Sequence, residues 1–352
     1  MVACRSQMGI DQVISDCLER GWADGLPVVP PYAELVDAML AALGWTASAT
    51  LARDEDLRLE IRCEHLASLA VMAGCLPSYA RILRPLSEML LAPTFGLRGV
   101  ATTTGGVGIF VLVSGPVVTE LGFHTGANAL GTPVRVNASI GRFAQLVRHI
   151  CGRAGGLLEE FGTLGHPGRL SYLLAESSER VWPPFHTQFG FAAEESCVAI
   201  MAAEGPNSIN NHYAETAEQV LETIALGLAH AGTTNYYYQG GGYVIVVAPE
   251  HLDLIAARFD RTAARDFIYE RARMPTRELA RLGRIPRQID PARCVDLDAS
   301  RSPVARANQL LFAQAGGSAG KFSAVIPGWV TNVTHVKSLD SGRLETSQPA
   351  AF

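Results

Sequence analysis

The chain has 352 residues, 48% of them apolar and 18% charged, with a net charge of −5. That is enough apolar material for one large or two ordinary domains with a sizeable core. The acidic balance and the lack of any basic cluster interleaved with aromatics argue against a nucleic-acid binder, and no uncharged apolar run reaches the roughly 18 residues that would suggest a membrane span.

The opening residues, MVACRSQMGIDQVISDCLERG, hold acids and no apolar stretch of leader type, so the protein is expected in the cytoplasm. Ile10, Val13, Ile14, Cys17 and Leu18 fall on one helical face, and Leu35, Val36, Met39 and Leu40 repeat the pattern over Tyr32–Leu43. Between these helices lies WADGLPVVPP (22–31), which regular secondary structure cannot absorb. Its prolines fix φ and push the preceding residues toward extended geometry, so a stiff loop is expected, carrying Asp24 beside Gly25. An Asp-Gly pair serves equally as a turn or a helix cap. Residues 46–59 read as charged and irregular. His65–Leu91 reads as two helices broken at Gly74-Cys75-Leu76-Pro77, which leaves Cys75 at a helix end.

The pattern then changes to apolar runs that end in proline turns: IFVLVSGP (109–116), CVAIMAAEGP (197–206) and YVIVVAPEH (243–251). Continuous apolar strands suit a sheet covered on both faces. Helices over Asn137–Cys151 and Ala214–Ala231 supply covering layers, and a further helix follows the third strand. The expected fold is therefore α/β, with long apolar strands covered by helices behind an N-terminal helical segment. The recurring strand–proline ending points to related units. A division into 1–190 and 191–352 is expected, although no linker composition marks it and the halves can share one core. NYYYQGGGY (235–243) reads as a hinge or a lid.

WADGLPVVPPYAELVDAML, ASLAVMAGCLPSY (67–79), NASIGRFAQLVRHICG (137–152), LGHPGRLSYLLAESSE (164–179) and the closing AQAGGSAGKFSAVIPGW (313–329) give the chain a likeness over most of its length to a known group. It resembles the bacterial proteins that carry, or are encoded beside, a small UGSC-type domain. It is also similar, more narrowly, to the long subunit of two-component aziridine-forming proteins of azinomycin-type pathways. The resemblance implies heteroatom chemistry on small molecules and work alongside a short partner protein. No Cys or Sec stands in a GSC-type motif here, so redox chemistry of that domain would have to come from another chain.

Seven scattered cysteines without a C-x-x-C pair fit reduced, buried thiols. Only Lys321 and Lys337 are lysines, so positive charge is almost all arginine, which favours fixed bidentate anion binding over Schiff-base chemistry. Three glycine-rich loops, 101–108, 123–131 and 316–323, can present backbone N–H groups, with Thr103, Thr104 and Asn128 adding donors; bare turns look the same. The third departs from the P-loop pattern at Ala315 and Phe322, which rules out that mode of ATP binding. Arg135 and Arg142 flank Asn137, a candidate N-cap, and would set two guanidinium groups beside a helix N-terminus suited to an anion, unless they pair with Glu159 or Glu160. The nine histidines form no local zinc pattern. His166 in GHPGR and His212 in NSINNHY are the two that a cleft could present, with a structural role the alternative for each.

These residues converge on one expectation. Asp24 acts as general base, with His166 and Cys75 as further catalytic candidates. Arg135, Arg142, Asn137, Asn128, Thr103, Thr104 and His212 hold substrate or leaving anion, with no cofactor and no metal. Such a site suits displacement or elimination with loss of an anion, and the resemblance supplies the aziridine ring closure. The alternatives are a half-catalytic subunit that needs a small partner protein, and a cofactor-free Ser or Cys hydrolase. Expected partners are a small polar or anionic substrate, that small subunit, and further copies of the chain.

Overall fold

The computed structural model describes residues 9–54, 59–151, 161–177, 179, 181–239, 241–285, 296–330 and 333–347. Helices α1 (Ile10–Glu19) and α2 (Ala33–Leu43) flank the proline segment. A hairpin of β1 (Thr50–Asp54) and β2 (Leu59–Arg62) leads into α3 (Cys63–Met72), α4 (Ala80–Leu90) and α5 (Leu97–Thr102). Next come β3 (Gly108–Ser114), α6 (Val117–Glu120), α7 (Arg135–Cys151), β4 (Leu173–Ala175), β5 (Cys197–Ala203) and β6 (Asn207–Asn210). The chain continues through α8 (Ala217–Leu228), α9 (Asn235–Tyr238), β7 (Tyr243–Val247), α10 (Pro249–Ala256), α11 (Arg261–Arg271), β8 (Met274–Pro275), α12 (Thr276–Arg281) and β9 (Ser300–Arg301). It closes with β10 (Leu310–Gln314), β11 (Phe322–Pro327), β12 (His335–Ser338) and β13 (Leu344–Thr346).

Two mixed sheets result, ordered β13-β12-β5-β3-β4 and β10-β7-β11-β6. Strand alternation sorts their side chains into three cores. Phe110 and Leu112 of β3, Met201 of β5, Val244 and Val246 of β7 and Leu311 of β10 meet between the sheets. Ile109, Val111 and Val113 face outward beneath α2, α3, α4 and α7, while Tyr243, Ile245 and Val247 face outward beneath α8, α10 and α11. The layers are therefore helix, sheet, sheet, helix. The α/β class and the doubly covered strands stand, with one difference: each sheet has helices on one face only, and its other face is covered by the second sheet.

The sheets repeat one topology. β3 runs parallel to β4 and antiparallel to β5, and β7 runs parallel to β10 and antiparallel to β11. The strand after each unit then crosses over, β6 pairing with β11 and β12 pairing with β5. At the crossing, Glu204 N–H donates to Pro327 O (2.9 Å) and Trp329 N–H to Ala202 O (2.8 Å) around an Ala203–Gly328 bridge. The five-stranded sheet thus draws strands from both sides of residue 190, and the halves 1–190 and 191–352 are interlocked.

Several local expectations need correction. Residues 50–62 form a hairpin on either side of 55–58, which lie outside the described residues. The 235–243 segment is packed: Tyr236 and Tyr243 are buried, the Thr233 and Tyr243 hydroxyls lie 3.1 Å apart, and a Cβ at Gly242 would come within 2.6 Å of Gln309 O. Its glycines permit close backbone approach, so it is neither hinge nor lid. Among the described residues no single helix is long and apolar enough to cross a membrane.

Phe110 is 1% exposed and packs edge-on to Tyr172 with centroids 4.9 Å apart, at the middle of the inter-sheet core. Phe110→Ala should cost about 3–5 kcal/mol in urea unfolding, whereas Leu226→Ala on the exposed face of α8 should stay within about 0.5 kcal/mol. Equal costs would contradict the inter-sheet packing.

Candidate functional site

The proline segment is fixed from several directions. Val29 N–H donates to Met72 O (3.2 Å), and Leu26 N–H donates to Asp24 Oδ1 (3.2 Å) across Gly25, whose φ is 89°. Arg142, on α7 and 118 residues away, closes the arrangement. Its Nε donates to Asp24 Oδ2 (2.9 Å), Nη2 to Asp24 Oδ1 (2.7 Å) and Leu26 O (3.3 Å), and Nη1 to Pro27 O (3.0 Å). Burial alone would raise the Asp24 carboxyl, but the Arg142 hydrogen bonds and charge, with the Leu26 N–H, outweigh it and hold the pKa below 3.8. Both oxygens are engaged and basicity is reduced. Asp24 is an anchor for the loop, which corrects its expected role as general base, and Arg142 is spent on the same anchor.

The other chosen residues separate into several places. Arg135 donates from Nε to Gly74 O (3.0 Å) on the exposed start of α7. Cys75 lies buried near it, and burial pushes its thiol up to about 12 against the smaller effects of Ser139 and Arg135. A thiol that stays protonated is no nucleophile at neutral pH, which corrects Cys75 as a catalytic group. Asn137 is two residues inside α7, where it accepts from His124 N–H and donates to His124 O, so it caps no helix. Thr103 Oγ1 accepts from Gly105 N–H within its turn, and Thr104 O accepts from Thr163 N–H (2.8 Å), which ties the 101–108 loop to the 161–170 loop. Asn128 holds φ 62° and donates to Gly131 O, and His212 lies exposed, edge-on to Phe322. Loops 123–131 and 316–323 do meet, through Gly316 N–H to Thr125 O (2.8 Å).

Asp24 and His166 share one cleft of about 590 Å³, whose lining also carries Gln145, Arg148, His149 and Arg169. Gln145 bonds Ile109 at both N–H (3.3 Å) and C=O (2.7 Å), fixing the last turns of α7 to the start of β3, and Arg148 Nε donates to Gln145 Oε1 (3.4 Å). Arg148 is 3% exposed, so its guanidinium is held largely out of water. His166 Nδ1 accepts from Gly168 N–H (3.1 Å), so its Nε2 carries the proton and donates to Ala203 O (3.3 Å). Burial lowers its pKa from 6.5, more than the Ala203 carbonyl raises it. His166 is a neutral wedge with both nitrogens in use, which corrects it as a free base. Glu159 and Glu160, the expected arginine partners, lie outside the described residues.

Arg148, His149 and Arg169 were missed as a set. The signal is present in α7, where Arg135, Ser139, Arg142, Gln145 and His149 follow one another at spacings of three and four and so share a face, with Arg148 beside it. Against known proteins, the chain matches no family model and no curated sequence.

Asp24→Asn should destabilise the fold by roughly 2–4 kcal/mol, because it leaves the mostly buried Arg142 guanidinium without its counter-charge. The sign with pH follows from the depressed carboxyl. The contribution is complete above the unfolded-state pKa near 3.8 and is lost as pH falls through the lower folded value. Urea midpoints should therefore converge for wild type and Asp24→Asn at acid pH and separate at neutral pH; a constant gap would refute the pairing. Site-resolved mass spectrometry with iodoacetamide at pH 8 should leave Cys75 unmodified in the folded protein and alkylate it in urea.

Proposed function

We propose that the protein is a small-molecule enzyme that binds an anionic group of its substrate in the Arg148–Arg169 cleft and removes a proton as that anion departs. The observation that carries this reading is that Arg148, His149 and Arg169 stand together on the lining of one cleft, with Arg148 3% exposed. Guanidinium groups bind sulfate, phosphate or carboxylate through paired donors, and the burial of Arg148 strengthens the attraction.

The reaction class is proton abstraction with loss of an anion, by intramolecular displacement or elimination. In the displacement form, a substrate amine forms a bond to the carbon that bears a sulfate or phosphate ester, the carbon–oxygen bond breaks, and the anion leaves toward Arg148 and Arg169. The amine proton passes to His149, the cleft imidazole beside Arg148 at the end of α7. When amine and leaving group sit on adjacent carbons the product is an aziridine. Asp24, bound by Arg142 at both oxygens, is not the base in this scheme.

A second reading, a subunit that needs a small partner protein, is favoured by the cleft rim. Leu164 is 96% exposed, and Leu170 and Phe161 are 46% and 43% exposed near it. Calorimetric titration with sulfate and phosphate separates the two. Saturable binding by the isolated chain is expected, with a loss of about tenfold or more in Arg148→Gln and in the more accessible Arg169→Gln, equivalent to about 1.4 kcal/mol or more. Chromatographic detection of sulfate or phosphate released from vicinal amino-alcohol esters then tests the chemistry, His149→Gln being expected to abolish release while leaving anion binding in place. Anion binding that both arginine variants retain in full would sink the proposal.

A further inference from the structure

A second cavity system lies at the carboxyl ends of β7 and β10, where ligands of parallel-strand proteins commonly bind. It has two halves that share Ala315 and Gly316 as a common wall. The first, about 610 Å³, carries Glu179 and Asp253 among polar neighbours. The second, about 460 Å³, is walled chiefly by apolar side chains, including Leu130, Val246, Phe322 and Ala324. Both volumes lie in the range of small-molecule pockets. No Lys, Arg or His stands on the described lining of either half.

The sign of the ligand charge follows from magnitudes. The N-terminus of α10 opens on the first half at Pro249 and contributes about half a positive charge, while Glu179 and Asp253 contribute two carboxylates. Among the described residues of the lining the carboxylates prevail. Gln314 in the wall accepts from Val181 and Trp182 N–H and donates to Trp182 O, which commits its oxygen and one of its two N–H groups. The glycine-rich loops 123–131 and 316–323 shape this place but do not make it an anion nest.

We infer that this groove binds an organic ammonium compound with an apolar body, its cationic end between Glu179 and Asp253 and its hydrocarbon along Val246 and Ala324. The inference does not rest on the Arg148–Arg169 cleft. Its test uses the intact protein with n-butyl-, n-hexyl- and n-octylammonium and with octanoate, each below its micellar concentration, read by calorimetry. Affinity should rise with chain length by up to about fourfold per methylene, and octylammonium should bind at least tenfold tighter than octanoate. Glu179→Gln with Asp253→Asn, both at exposed positions, should erase the preference for the amine and keep the chain-length dependence. Ala324→Phe should do the reverse by filling the apolar half, with thermal melts confirming that each variant is folded. Arg169→Gln should change none of these values, which keeps a failure here distinct from a failure of the anion-cleft reading. Octanoate binding as tightly as octylammonium, no dependence on chain length, or no saturable amine binding would each overturn the proposal.

Discussion

The crossing of two chain segments at Ala203 and Gly328 is the constraint from which the rest of the architecture follows. After β5 and after β11 the chain leaves its own sheet, and each departing strand completes the other sheet. This needs two backbones to pass in contact. A Cβ on Gly328 would stand 2.7 Å from Gly242 O and 3.0 Å from Met201 Sδ. Because the exchange is reciprocal, neither unit can separate without exposing a strand edge and half of the inter-sheet core. His166 reaches this same crossing by donating to Ala203 O, so the cleft loop 161–170 is tied to the most constrained part of the fold.

The Asp24–Arg142 pair shows how a correct sequence observation leads to a wrong role. Prolines and Asp-Gly do mark a stiff loop holding an acid against an arginine of α7. Proximity itself removes the chemistry, since an arginine that binds the carboxylate through two nitrogens lowers the affinity for a proton that a general base requires. With side-chain exposures of 8% for Asp24 and 16% for Arg142, the pair lies largely out of water, where unpairing either group is costly. The loop is held in place by that cost.

What the sequence reveals about the fold depends on which faces of an element are buried. α1, α2 and the break at Gly74 were legible because their apolar periodicity or positive φ leaves a local signature. β3, β5 and β7 were legible as doubly buried strands, yet a strand buried on both faces has lost the alternation that would tell a covering sheet from a covering helix. The proline endings indicated related units and concealed two roles: after β3 and β7 the proline opens a helix, and after β5 it stands at the exchange into β6. The β1–β2 hairpin was missed because it is short and sends only Ile61 into the core, with Leu51 and Ala52 half-buried against it, too few apolar positions to show a strand period.

The two cavity systems carry different charged side chains. α7 presents Arg148 and His149 beside Arg169 on one lining, while the ends of β7 and β10 present Glu179 and Asp253 on the other. With almost no lysine, nearly every positive charge is a planar fork whose position is set by what it donates to. Arg142 is fixed on Asp24 and Arg261 on the carbonyls of Pro183 and Pro184, the latter with its pKa lowered by burial to about 10. Cations so committed brace loops and do not draw ligands. A net charge of −5 by itself therefore does not show how the charged side chains are distributed over the two cavity linings.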